Sequence, residues 1–184
     1  MNIVVADACP VIFLAKLDRL ALIRTVFPGT ILIPASVRRE LTQETIPTEE
    51  KLRIEEFLKH CRVETVQNPR FPATALSLAD RHVLTLATRH RKAIILTDDS
   101  LLRRIALAQG QPVAGTLGLI IRATRAKLIQ RQEALNSVDE LVTKHQLRIT
   151  VDVYQEACRQ INESTLNTNH GATKMALNKP LPPM

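Results

Sequence analysis

The sequence predicts an α/β fold in which a central parallel sheet is flanked by helices. Three observations predict it. Apolar runs of strand length alternate with helical patterns as far as Lys127, which is the signature of βαβ units. The runs Ile3-Val4-Val5-Ala6 and Ala93-Ile94-Ile95-Leu96 contain no polar interruption, as in strands buried on both faces. Both runs end in aspartate, at Asp7 and at Asp98-Asp99. In open parallel sheets, ligands collect at the carboxyl ends of the strands, near the point where strand order reverses.

Taken in order, Ile3–Ala6 reads as the first strand, followed by helices at Pro10–Leu17 and Leu20–Phe27. Thr30–Ile33 is a second strand, and a helix starts near Pro34 or Ala35. Thr48–His60 is helical with a charged outer face, and Arg62–Val66 is a third strand. Leu76–Thr88 reads as a helix, Ala93–Leu96 as a strand and Ser100–Gln109 as a helix. Gly110 is placed to end that last helix, because glycine tolerates the left-handed conformation. Pro112–Ala114 is a short strand before the helix Leu117–Lys127. Beyond it the pattern is purely helical. Leu135, Val138, Leu141 and Val142 form one stripe over Arg131–His145, and Val153, Tyr154, Ala157 and Ile161 form another over Val151–Ile161. The polar, Asn- and Thr-rich end with its late prolines reads as a disordered tail. The expected organisation is a domain over 1–128, a helical extension packed on it over 129–162, and the tail over 163–184.

Composition narrows the class. The longest uncharged apolar stretch, Pro112 to Ile121, falls short of the roughly 18 residues of a membrane span, so no membrane partner is expected. There is no basic segment leading into an apolar one at the start, as a signal peptide requires. The three cysteines, Cys9, Cys61 and Cys158, are odd in number and widely spaced. They read as free thiols in the reducing cytoplasm. A net charge of +7 points to an anionic partner, with nucleic acid the commonest. With aromatics at 3% and no tryptophan, binding through phosphates is expected rather than base stacking on aromatic rings.

Two further acids sit where helices should be apolar. Asp80 lies between Leu76 and Val83 on an apolar stripe, and Glu40 follows Val37 by three residues. Each acid alone has a simple explanation. An Asp after a strand is often a helix cap, Glu40 has arginines beside it, and Asp80 can sit solvated at the stripe's edge. Together, four segments each present an acid towards one end of the sheet. Converging carboxylates repel one another and are stable only with cations. Carboxylate oxygens suit Mg²⁺ or Mn²⁺.

On these residues the chain resembles the PIN-domain nucleases. The matching stretches are "VVADACPVIFLAKL" with Asp7, "IPASVRREL" with Glu40, "LADRHVLTLA" with Asp80 and "IILTDDSLLR" with Asp98 and Asp99. The later "QPVAGTLGLIIRA" and the helices after it are similar to a subgroup with a helical C-terminal extension and no assigned function. The resemblance covers about residues 2 to 161. It implies a PIN-like three-layer fold and a metal-dependent phosphodiesterase, usually acting on RNA, with Asp7, Glu40, Asp80, Asp98 and Asp99 as catalytic metal ligands and Mg²⁺ or Mn²⁺ as the cofactor. Either Asp98 or Asp99 is the main ligand of the last motif. The family commonly has Thr or Ser after the first Asp, where this chain has Ala8 and Cys9. The subgroup often has Glu after Gly at the third acid, where this chain has Asp80 after Ala79.

Thr97 is placed to hydrogen-bond a ligating carboxylate. Arg81, Arg103 and Arg104 lie close to proposed ligands and are the candidate substrate-binding residues. The stretch Arg89 to Lys92 reads as surface charge at the far end of a strand, His82 as a structural or exposed residue, and Cys9 as a small buried one. The resemblance further implies a toxin role in a toxin–antitoxin pair, with an antitoxin protein as partner, and a homodimer. The alternative is a catalytically weak or inactive PIN-like binding or regulatory protein. A phosphotransfer receiver also carries acids at strand ends, but it needs a lysine at the end of a late strand, and no predicted strand here ends in Lys.

Overall fold

A computed structural model describes residues 2–71, 76–90 and 92–164. The chain forms a five-stranded parallel sheet in the order β3-β2-β1-β4-β5. The strands are β1 (Asn2–Ala6), β2 (Gly29–Pro34), β3 (Arg62–Glu64), β4 (Ile94–Leu96) and β5 (Val113–Ala114). Between and after them run α1 (Ala8–Lys16), α2 (Ala21–Val26), α3 (Ala35–Leu41), α4 (Thr48–Leu58), α5 (Leu78–Arg89), α6 (Ser100–Ala108), α7 (Thr116–Arg125), α8 (Arg131–Thr143) and α9 (Val151–Glu163). This is the PIN-like three-layer α/β architecture that the sequence predicts.

The central strands are the most apolar and the most buried. Val4, Val5, Ala6, Ile33, Ile95 and Leu96 have no solvent exposure. One sheet face is covered by α5, which packs across β1, β2 and β4, while α1 packs against α3, α4 and α7. The edge strands β3 and β5 are short, which limits unpaired backbone at the sheet margins. From β1 the chain winds outward through β2 and β3, then crosses back so that β4 pairs with the other side of β1. The topological switch point therefore lies between β1 and β4. A ligand crevice is expected at their carboxyl ends.

Several boundaries differ from the sequence expectation for identifiable reasons. Helix α1 begins at Ala8, two residues before Pro10, because Asp7 caps it and proline is tolerated in a first turn. Helix α5 begins at Leu78 and not Leu76, because Ser77 caps it. Strand β3 stops at Glu64, short of Val66, at the sheet edge where only β2 pairs with it. Gly110 takes φ +72° just after α6 and so ends it. Helix α9 runs through Glu163, so the segment read as a tail from 163 begins inside a helix. The rest of that tail, 165–184, lies outside the described residues. Helices α8 and α9 pack on α7 and on each other. Among the described residues, no helix is long and apolar enough to cross a membrane.

Candidate active site

Asp7 closes β1 and starts α1. Its backbone N–H donates to the Leu96 carbonyl of β4 at 2.9 Å, which locks it to the neighbouring strand end. Its Oδ1 accepts the Ala8 N–H at 2.7 Å and its Oδ2 accepts the Thr97 hydroxyl at 2.9 Å. The side chain is buried. Burial pushes its carboxyl up to about 6, the two hydrogen bonds oppose the shift, and the charges of Asp80 and Glu40 add to it. Burial and nearby like charge both disfavour the ionised form.

Glu40 stands in the last turn of α3 and is half-buried. Burial raises its pKa, the charge of Asp80 raises it further, and Arg39 opposes. Asp80 is held differently from the sequence expectation. It is not on the inward stripe in mid-helix but at the third position of α5, inside a capping box. Its Oδ2 accepts the Ser77 N–H at 2.9 Å, while its own N–H donates to Ser77 Oγ at 3.1 Å. Its Oδ1 has no hydrogen-bond partner among the described residues. The cap fixes the carboxylate at the helix N-terminus, where negative charge is favoured. Asp7, Glu40 and Asp80 thus form one electrostatic group drawn from β1, α3 and α5.

Asp98 and Asp99 follow β4 on the flank of that group. Both oxygens of Asp98 are engaged by Thr116 at the start of α7, the N–H to Oδ1 at 2.8 Å and the hydroxyl to Oδ2 at 2.5 Å. Burial raises its pKa, while the Thr116 bonds and Arg103 oppose. Asp99 is exposed and caps α6, its Oδ1 accepting the Leu102 N–H at 2.6 Å.

Thr97 links these residues. It has no solvent exposure. Its hydroxyl donates to Asp7, accepts the Asp99 N–H at 3.1 Å, and its carbonyl accepts from Arg103 Nη2 at 3.1 Å. Gly115 leaves room for this arrangement. A Cβ there would lie 2.6 Å from Arg103 Nη2 and 2.7 Å from Asp98 Oδ1. Cys9 is exposed, contrary to the expectation of a buried thiol, because it lies in the first turn of α1 at the open end of the sheet. Its thiol is pushed up to about 12, by partial desolvation first and then by Asp7, Asp98, Glu40 and Asp99. Four carboxylates therefore act on one point at the mouth of the site.

Of the three candidate arginines, Arg103 is anchored beside Asp98. Arg81 turns its Nε to the Phe71 carbonyl at 2.7 Å. Arg104 is exposed on α6. His82 is buried, with Nδ1 2.9 Å from Ser36 Oγ, and ties α5 to α3. Thr116 and Gly115 escaped the sequence reading. The signal for them was "AGT" after a two-residue strand, a third carboxyl end on the same sheet edge.

None of the five acids is in an ion pair among the described residues. Their oxygens are hard donors of the kind that divalent magnesium or manganese prefers. The mutual repulsion of Asp7, Glu40 and Asp80 fits a site that receives positive charge from outside the chain. Among the described residues, no three His, Cys, Asp or Glu stand ready to hold an ion.

A family model described as a PIN domain matches residues 3–163. No curated protein matches the chain.

Proposed function

The chain belongs to the PIN-domain family, a nuclease-type group, and from that premise we propose that it is a divalent-metal-dependent ribonuclease. One observation carries the reading. Asp7, Glu40 and Asp80 come from three separate elements, the charge of Asp80 raises the pKa of both Asp7 and Glu40, and none of the three is in an ion pair among the described residues. A fold places unpaired carboxylates together at a strand switch point when a bound cation is to neutralise them.

Asp7, Glu40 and Asp80 would hold Mg²⁺ or Mn²⁺, with Asp98 or Asp99 beside them. The ion would acidify a bound water and offset charge on the phosphate. The chain's own groups do the rest. Thr97 orients the Asp7 carboxylate by donating to its Oδ2. The Ser77 cap holds Asp80 in place. Arg103, Arg104 and Arg81 would serve the substrate's phosphates, and Arg103 is the one anchored beside Asp98. A toxin role opposed by an antitoxin protein, a homodimeric assembly and a cytoplasmic setting belong to the same proposal.

The test is cleavage of RNA with Mg²⁺ or Mn²⁺ by wild type, Asp7→Asn and Asp80→Asn. Metal-dependent cleavage that disappears in both variants is the expected result. Full activity in both variants sinks the reading. A second reading, a non-catalytic RNA-binding or regulatory PIN protein, draws on Ala8-Cys9 after the first Asp. Calorimetry separates the two. The nuclease binds Mn²⁺ below millimolar concentration and the binding module does not.

A further inference from the structure

Beside the acids, a cleft of about 230 Å³ opens between Asp98 and the C-terminal helices. One wall comes from the sheet domain, with Arg103 on α6 and Leu117 at the start of α7. The other comes from the α8–α9 connection and the first turn of α9, with Leu147, Arg148, Ile149 and Val153. We propose that this cleft seats one unpaired nucleotide of a single-stranded RNA next to the scissile phosphate, and that the C-terminal helices are present to build half of it. The inference rests on the nuclease reading and adds a nucleotide seat whose second wall comes from the C-terminal helices.

The size, lining and charge agree. The cleft is smaller than the roughly 300–1,000 Å³ pockets of drug-sized ligands, a size that suits a single base. Leu117, Leu147, Ile149 and Val153 give it an apolar lining that takes a base face without an aromatic platform, in a chain with few aromatics. The two cations serve the backbone phosphate. The Arg103 guanidinium is fixed by the Thr97 carbonyl, and Arg148 is exposed and in no ion pair among the described residues. Arginine is the side chain that binds phosphate with geometric specificity. The acid in the wall, Asp98, has both oxygens engaged by Thr116. The first turns of α6, α7 and α9 all border the cleft. Their dipoles add positive potential to that of the arginines.

The experiment measures binding without turnover. A short fluorescently labelled single-stranded RNA is titrated in EDTA with the full chain, with Arg148→Glu and with Val153→Trp, and Mn²⁺ binding is measured in parallel. Arg148→Glu is expected to weaken RNA binding about tenfold or more and to flatten the salt dependence by about 0.7 in log–log slope, the effect of one lost phosphate contact on a single strand. Val153→Trp fills the cleft and weakens binding with the salt slope kept. Both variants bind Mn²⁺ as wild type does. A duplex of the same sequence binds more weakly than the single strand. Unchanged RNA affinity in both variants, or equal affinity for the duplex, overturns the cleft assignment and leaves the nuclease reading standing. Wild type that binds Mn²⁺ but no RNA overturns the assignment together with the RNA substrate, and wild type that binds neither overturns the nuclease reading as well.

Discussion

Replacing Asp7 by Asn should make the metal-free protein more stable at neutral pH, while abolishing its activity. The carboxyl is pushed from 3.8 to about 6, chiefly by burial. In the window between those values the folded state holds the proton that the unfolded state has released. Stability therefore falls as pH rises through the window, and the full penalty is present above pH 6. About two pKa units at about 1.4 kcal/mol each give roughly 3 kcal/mol. Asparagine keeps an oxygen for the Ala8 N–H but turns an amide N–H₂ towards Thr97, a loss of about 1 kcal/mol. The net gain at pH 8 is then about 2 kcal/mol, shrinking to nothing or reversing near pH 4. Urea unfolding in EDTA from pH 4 to pH 8 measures it as the difference between the two proteins, which cancels the titrating groups not coupled to Asp7. Millimolar Mn²⁺ should stabilise wild type and not the variant, since ligand linkage acts only on the protein that binds. A difference that stays flat with pH would refute the argument that burial of an ionisable Asp7 strains the empty site.

Four further outcomes follow from the same geometry. Thr97→Val removes a hydrogen bond that lowers the Asp7 pKa, so the acidic limb of the pH–rate profile should move to higher pH, and Thr97→Ser should restore it. Asp98→Ala leaves the buried Thr116 N–H and hydroxyl without their acceptor, and should lower unfolding free energy by about 2–3 kcal/mol in urea titrations. Gly115→Ala puts a methyl against Arg103 and Asp98, and should reduce cleavage at least tenfold with stability changed by about 1–3 kcal/mol. Ser77→Ala breaks the cap that holds Asp80. It should cost about 1 kcal/mol of stability and, by freeing the carboxylate, weaken Mn²⁺ binding in calorimetry.

What could be read from the sequence was what depends on local pattern. The unbroken apolar runs of β1 and β4 identify central strands, and an Asp after each marks the sheet edge where they end. The sequence did not reveal what each carboxylate does with its oxygens. Asp80 shows the limit. A position between Leu76 and Val83 satisfies a helical stripe, yet Ser77 three residues earlier is an equally local signal for a cap. The cap won because it satisfies backbone donors at a helix start. Thr116 was invisible because β5 is two residues long, too short for any periodicity. The cleft at Asp98 was invisible for another reason. Its walls are some 30 residues or more apart in the chain, and only the docking of α9 on α7 brings them face to face.

The sheet order sets a sequence of events during synthesis. β1 sits at the centre, but its partner on one side, β4, leaves the ribosome about 90 residues later. Until then one flank of β1 is an open edge, and Asp7 has neither the Leu96 carbonyl nor the Thr97 hydroxyl to hold it. Non-local parallel pairing of this kind is slow to form. The incomplete polypeptide therefore carries the first acid without the two partners that hold it.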